Sequence, residues 1–128
     1  MMRIATAALL ALIALTSAGR AQPADRDADQ NMAVARYYIS RGDHTGAINR
    51  LTVVLRRYPS SGHIEEALAR LTEEYLALGI RREAQNAAAV VARKFPNGQW
   101  TAHALRVLTA AGFEPIEDET FWPSWMFR

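Results

Sequence analysis

Apolar residues recur every three or four positions through most of the chain beyond residue 30, which is the spacing of an amphipathic α-helix. The first apolar run ends at Gly42 and the next ends at Pro59. Asp43 stands between the two runs, where a side-chain carboxylate caps the start of a helix. No stretch alternates between apolar and polar residues in the manner of a half-buried strand. The pattern predicts a helical hairpin within an all-α protein.

A second hairpin follows the first. Its two apolar runs end at Gly79 and at Pro96. A fifth run ends near Gly112, and Asn97 lies ahead of it at a position suited to capping a helix. The pattern therefore predicts two hairpins and a closing helix over residues 30–112.

A shift of 37 residues superimposes the first hairpin on the second. The matching positions are aromatic, turn, small and closing residues: Tyr38 with Tyr75, Gly42 with Gly79, Ala47 with Ala84, Val54 with Val91, Tyr58 with Phe95, and Pro59 with Pro96. A third copy begins with Ala104 and Leu105 and stops at Gly112. Repeats of this length are typical of solenoids, because one unit alone cannot bury its apolar face.

The repeat resembles the tetratricopeptide repeat. The positions that carry the resemblance in the first unit are Ala35, Tyr38, Ala47, Leu51, Val54 and Pro59. The second unit departs from it at Thr72 and Ala88, and the period exceeds the family's spacing of about 34 residues. We expect the extra residues in the turn at positions 60–63. The resemblance implies a right-handed solenoid of two hairpins and a C-terminal capping helix.

Several longer segments resemble the BamD family of outer-membrane assembly lipoproteins. They are MAVARYYISRGD at 32–43, EEALARLTEEYLALG at 65–79, FPNGQW at 95–100 and GFEPIEDE at 112–119. The resemblance covers the C-terminal half of that family's five repeats, without its lipid-accepting cysteine. It implies a part that docks on the barrel-assembly protein BamA or on accessory lipoproteins.

The first 21 residues have the layout of a secretory signal peptide. A positive start precedes an apolar run at 4–15, and small residues follow, with cleavage after Ala18 or Ala21 equally suitable. The apolar run is shorter than the roughly 20 residues that span a bilayer. Residues 22–29 are rich in Pro, Ala and Asp and predict a disordered leader. We expect an exported, periplasmic protein, associated with the outer membrane only through its partners.

Composition narrows the function further. The chain of 128 residues contains no cysteine, so it offers no disulfide, thiolate metal site or cysteine nucleophile. It has 15 basic and 13 acidic residues, and removal of Arg3 and Arg20 with the signal peptide leaves 13 of each. A balanced charge argues against nucleic acid as a partner.

Catalytic motifs are also missing from the sequence. His44, His63 and His103 fall in three different predicted elements, without the spacing of metal ligands, and we expect them at the surface or at helix ends. No phosphate loop, nucleophile elbow or zinc motif occurs. The sequence predicts a non-enzymatic scaffold without metal or cofactor. The alternative is an independent periplasmic tetratricopeptide protein that coordinates cell-envelope or cell-wall machinery.

The first helix of each hairpin lines the groove of such a solenoid. The candidate partner contacts on that side are Arg36, Glu66, Arg70, Glu73, His103 and Arg106. The alternative is a solvated face with only a local Glu66–Arg70 helix pair. Tyr37 marks an apolar surface at the open N-terminal end, where a second copy of the chain or another helical protein would bind.

The C-terminal tail, residues 113–128, is acidic and then aromatic. Trp122 and Trp125 either fold back to cap the open end of the solenoid or anchor the chain in a partner. Trp100 is assigned to packing within the fold.

Overall fold

The computed structural model describes residues 23–120, which form five helices. They are α1 Pro23–Ser40, α2 His44–Arg57, α3 Ile64–Ala77, α4 Arg81–Lys94 and α5 Gln99–Ala110. Within this span there is no strand. Helix α1 packs against α2, α3 against both α2 and α4, and α5 against α3 and α4. The predicted arrangement of two hairpins and a closing helix is confirmed. The predicted signal peptide lies outside the described residues.

Helix α1 is longer than the sequence pattern predicts. It begins at Pro23, so the expectation of a disordered leader over residues 22–29 is wrong for residues 23–29. Proline suits the first turn of a helix, and Asp25 lies in that turn, where a negative charge is favourable. Ala28 is fully buried, one helical turn before the buried Met32. The apolar stripe of α1 therefore extends towards the N-terminus into residues that are mostly polar.

The three turns that follow α1, α3 and α5 share one backbone design. Gly42, Gly79 and Gly112 all have φ between 71° and 86°, a left-handed conformation that glycine adopts without strain. After α1, the amide of Asp43 donates to the carbonyl of Tyr38 at 2.9 Å, and the equivalent bonds follow α3 and α5. The turn at Gly112 comes 33 residues after Gly79, so the third unit is shorter than the second.

The second helices of the two hairpins end alike. Tyr58 caps α2 and Phe95 caps α4, and their amides donate to the carbonyls of Val54 and Val91. The link from α2 to α3 occupies residues 58–63, whereas the link from α4 to α5 occupies only 95–98. The longer turn is found where the sequence predicts it.

Small residues allow the helices to approach closely. Ala47 and Ala84 are fully buried in α2 and α4, as expected for a close crossing of each hairpin. Ala88 is also fully buried and clusters with Leu108 of α5. Thr72 is buried, and its hydroxyl donates to the carbonyl of Leu68 at 3.1 Å. The polar substitution in the second repeat is thus satisfied within its own helix.

The start of α5 is capped by a residue that the sequence does not reveal. The expected cap, Asn97, is not used, because the N-cap is Gly98. Glu65 of α3 instead accepts from the amides of Trp100 at 3.0 Å and Thr101 at 3.2 Å. A carboxylate stabilises a helix N-terminus through its charge as well as its hydrogen bonds. A residue of α3 therefore fixes where α5 begins.

Candidate partner-binding face

Six of the predicted contact residues form one continuous network of side chains, which we call the charge network. Its first part joins α1 to α3. Arg36 donates to both oxygens of Glu66, from Nε at 2.9 Å and from the terminal nitrogen at 2.6 Å. Arg70 approaches Glu66 from the next turn of α3, with Nε 3.4 Å from Oε1. A bidentate arginine–carboxylate pair fixes orientation as well as distance.

The second part of the charge network joins α3 to α5. Arg70 also lies 3.7 Å from Glu73, and Glu73 in turn contacts His103 of α5 through Nε2. Arg106 approaches Nδ1 of His103 at 3.1 Å. Because arginine is always a donor, Nδ1 accepts, and the proton of a neutral His103 sits on Nε2, facing Glu73.

Trp100 packs beside the charge network. Its ring meets His103 edge-on, with centroids 5.8 Å apart, and the Arg70 guanidinium lies 4.7 Å from its ring centroid. The ring also contacts the main hydrophobic core, so its assignment to packing is confirmed. It additionally holds Arg70 in place by a cation–π contact.

The charge network shifts the proton affinity of the groups that form it. The hydrogen bond from Arg36 lowers the pKa of Glu66 below its ordinary value of 4.5, and it outweighs the opposing effect of burial. The same hydrogen bond raises the pKa of Arg36. Only 8% of Glu66 is exposed, so its charge depends on these partners.

Both carboxylates of the charge network are already occupied. Glu66 and Glu73 each contact two basic side chains, so neither is a free acceptor. Arg36 and Arg106 are exposed at the α1 and α5 ends of the network. Three arginines against two glutamates give the charge network itself a net charge of +1. Its side chains connect three helices of the described chain.

Among the described residues, Tyr37 is the remaining predicted contact, and it lies outside the charge network. Tyr37 is 59% exposed and packs against Tyr38, with Arg41 above its ring at 6.0 Å. Trp122 and Trp125 lie outside the described residues.

Each histidine of the described chain meets one distant carboxylate. His44 contacts Glu74 at 2.6 Å, and His63 contacts Asp29 at 2.5 Å. Their positions at or beside helix starts are those expected, whereas His103 lies inside α5. Residues 23–120 hold no group of three side chains that could bind a metal ion. No helix in this part of the chain is long and apolar enough to cross a membrane.

The sequence does not predict where the acidic part of the tail binds. Residues 113–120, here called the acidic segment, lie along α4. Arg82 donates to Asp118 at 2.8 Å and Arg93 donates to Glu117 at 2.8 Å. The buried amide oxygen of Asn86 accepts from the backbone amide of Asp118 at 2.8 Å. The only sequence signal for this contact is the opposite charge of the tail and of the arginines in α4.

The chain is similar to proteins named as outer membrane protein assembly factors. A protein from Caulobacter vibrioides named outer membrane protein assembly factor BamD is 37% identical over 91 residues, covering 71% of this chain and 30% of that protein. The BamD of Rickettsia prowazekii is 34% identical over 84 residues, which cover 66% of this chain and 34% of that protein. The BamD of Neisseria meningitidis serogroup A is 32% identical over 94 residues, which cover 73% of this chain and 32% of that protein. The chain thus spans about a third of the length of these curated relatives.

No solved structure matches the chain significantly. The family model named YfiO and described as outer membrane lipoprotein matches residues 24–91, which is more than half of the 128 residues. That match covers the helices from α1 into α4 and therefore both hairpins. The chain belongs to this YfiO family, as its resemblance to BamD proteins predicts.

Proposed function

We propose that the chain is a non-enzymatic scaffold, similar to BamD, that takes part in assembly and insertion of outer-membrane β-barrel proteins. Its surroundings are the periplasm, where it is held near the outer membrane by its protein partners. The relatives are named as assembly factors for outer membrane proteins, and this supports the proposal. The observation that carries it is the charge network, which unites α1, α3 and α5 into a single face.

The partner in this proposal is the barrel-assembly protein BamA or one of its accessory lipoproteins. The internal ion pairs hold the charged side chains of α1, α3 and α5 in fixed positions before a partner arrives. A fixed surface loses less conformational entropy on binding than a mobile one. The exposed Arg36 and Arg106 supply the positive charge that attracts an acidic partner.

Affinity purification from detergent-solubilised envelope tests this function. The tagged wild-type chain is expected to recover BamA or its accessory lipoproteins. A variant with Trp122→Ala and Trp125→Ala separates the two roles of the aromatic tail, because it loses the partner only if those side chains anchor it. Recovery of cell-wall enzymes in place of assembly proteins would contradict the proposal and support a role in cell-wall coordination.

In this proposal, α1 carries a second surface, through which two copies of the chain associate. Tyr37 exposes more than half of its side chain there, and a second copy of the chain would cover it. Light scattering at rising protein concentration should show dimers that are lost on Tyr37→Ser. A monomer at high micromolar concentration would exclude this surface as a dimer contact.

A further inference from the structure

The acidic segment binds α4 through two carboxylates and through its backbone, while Phe113 at its start packs against Arg81 and the cluster of Ala84, Ala88 and Leu108. Two carboxylates face two arginines, Asp118 with Arg82 and Glu117 with Arg93. Further hydrogen bonds involve the backbone of the segment. Gln85 donates to the carbonyl of Glu114 at 3.0 Å, and the amide of Ile116 donates to the carbonyl of Gln85 at 3.2 Å.

Backbone contacts of this kind recognise an extended conformation and not a particular sequence. The carboxylate pairs add a preference for negative charge at two positions. The surface of α4 that carries Arg82, Gln85, Asn86 and Arg93 is therefore built as a binding groove, which we call the α4 groove. None of its residues belongs to the charge network.

The acidic segment fills the α4 groove incompletely. Ile116 remains 55% exposed although it lies within the segment. A depression of about 430 Å³ persists between the segment and α4, lined by Arg81, Phe113 and Ile116 among others. Asn86 is fully buried, and its Nδ2 has no acceptor among the described residues.

A buried amide donor without an acceptor is unfavourable, because the hydrogen bonds to water that it loses on folding are not replaced. An asparagine side chain both accepts from a peptide N–H and donates to a peptide carbonyl, but Asn86 makes only the first of these bonds here. A bound segment with a carbonyl within reach of Nδ2 would satisfy both. The chain's own tail is thus an imperfect ligand for the α4 groove.

We infer that the α4 groove is a docking site for an extended acidic segment of a protein partner, and that the chain's own acidic segment occupies it until displaced. The two ion pairs of the segment are exposed, with the side chain of Arg82 exposed to 67% and that of Arg93 to 39%. Surface ion pairs of this kind contribute little stability. Covalent attachment gives the segment a high effective concentration at the groove.

A synthetic peptide with residues 112–120 serves as the probe. We compare its binding by the full wild-type chain and by a Glu117→Gln, Asp118→Asn variant, using fluorescence anisotropy of the labelled peptide. This variant, which we call the loosened variant, retains the arginines of the groove but weakens the competing segment. It should bind the peptide about fivefold more tightly than wild type, as expected from the loss of two surface pairs.

Two controls distinguish the groove from general charge attraction. In the loosened variant, Arg82→Ala with Arg93→Ala should abolish binding, whereas Arg56→Ala with Arg57→Ala on α2 should preserve it. A peptide in which Gln replaces Glu117 and Asn replaces Asp118 should bind weakly. Circular dichroism confirms that each variant retains its helices.

Equal affinity of wild type and the loosened variant would overturn the inference, because it would show that the segment does not compete for the groove. Binding that ignores the α4 arginines would also overturn it, as would the absence of saturable binding to the loosened variant. The charge network is untouched in all of these proteins, so a failure here leaves the proposed function standing.

Discussion

Glu66 and Glu73 tie α3 to the helices on either side of it. Glu66 accepts from Arg36 of α1, and Glu73 contacts His103 of α5. Both links join residues that are 30 positions apart, so they form only when successive hairpins stack in the correct register. The charge network is therefore a product of the tertiary fold and at the same time a constraint on it.

Substitution of Glu66 by Gln should lower the free energy of unfolding at pH 7 by about 1–3 kcal/mol, because the buried carboxylate loses its charged hydrogen bonds to the partly exposed Arg36. The folded state holds the pKa of Glu66 below 4.5. The pair therefore stabilises the protein above that pH, and its contribution is lost as the pH falls through the lowered value. Urea denaturation at pH 7 and at pH 3 should show a difference between wild type and variant that shrinks in acid.

Glu119→Gln is the matched control, because it makes the same chemical change at an exposed residue outside the charge network. It should leave stability unchanged within about 0.5 kcal/mol. If Glu66→Gln and Glu119→Gln behave alike at both pH values, the ion pair with Arg36 does not stabilise the fold.

The contact between Glu65 and Gly98 determines the position of α5. A Cβ at residue 98 would lie 1.7 Å from Oε1 of Glu65, a distance that no structure tolerates. Glycine is favoured there by the approaching carboxylate and not by its backbone angles, since its φ is −76°. The missing side chain is what lets α3 cap α5.

Gly98→Ala should destabilise the protein by about 1–2 kcal/mol, because Glu65 must withdraw and the N-terminus of α5 loses its cap. Thermal unfolding followed by circular dichroism measures the change. Gly62→Ala is the matched control, because an added Cβ meets nothing within 4 Å there. In a Glu65→Ala background, Gly98→Ala should cost little, and an unchanged cost would contradict the proposed contact.

Helices α2 to α5 follow from the sequence because their boundaries are marked locally. Turn glycines end α3 and α5, prolines follow α2 and α4, and Asp43 caps α2, with its carboxylate accepting from the amide of Gly46 at 2.8 Å. The start of α1 is missed, because Ala28 gives a weak apolar signal among charged neighbours. The cap of α5 is missed because it comes from a residue more than 30 positions away.

The sequence predicts which residues belong to the candidate site, but not how they pair. Repeat position places Arg36, Glu66, Arg70, Glu73, His103 and Arg106 on one side of the solenoid, and the structure does bring them together. Which residue pairs with which depends on the stagger between helices, and periodicity does not specify it. The docking of the acidic segment on α4 is missed for the same reason.

At the scale of the whole molecule, the described chain carries two surfaces of different character. The charge network lies on α1, α3 and α5, whereas the α4 groove holds the chain's own tail. The proposed contact with BamA lies on the first surface, and the proposed docking of an acidic segment lies on the second. Two separate surfaces would allow the chain to hold two partners at once.

Calorimetric titration of the purified chain with the periplasmic region of the barrel-assembly protein BamA tests whether the charge network binds a partner. We expect saturable binding that is weakened at least tenfold, about 1.4 kcal/mol, by Arg36→Ala with Arg106→Ala. The matched Arg56→Ala, Arg57→Ala variant on α2 should bind as wild type does. Equal loss of affinity in both variants, or no binding by the folded wild-type chain, would contradict the account.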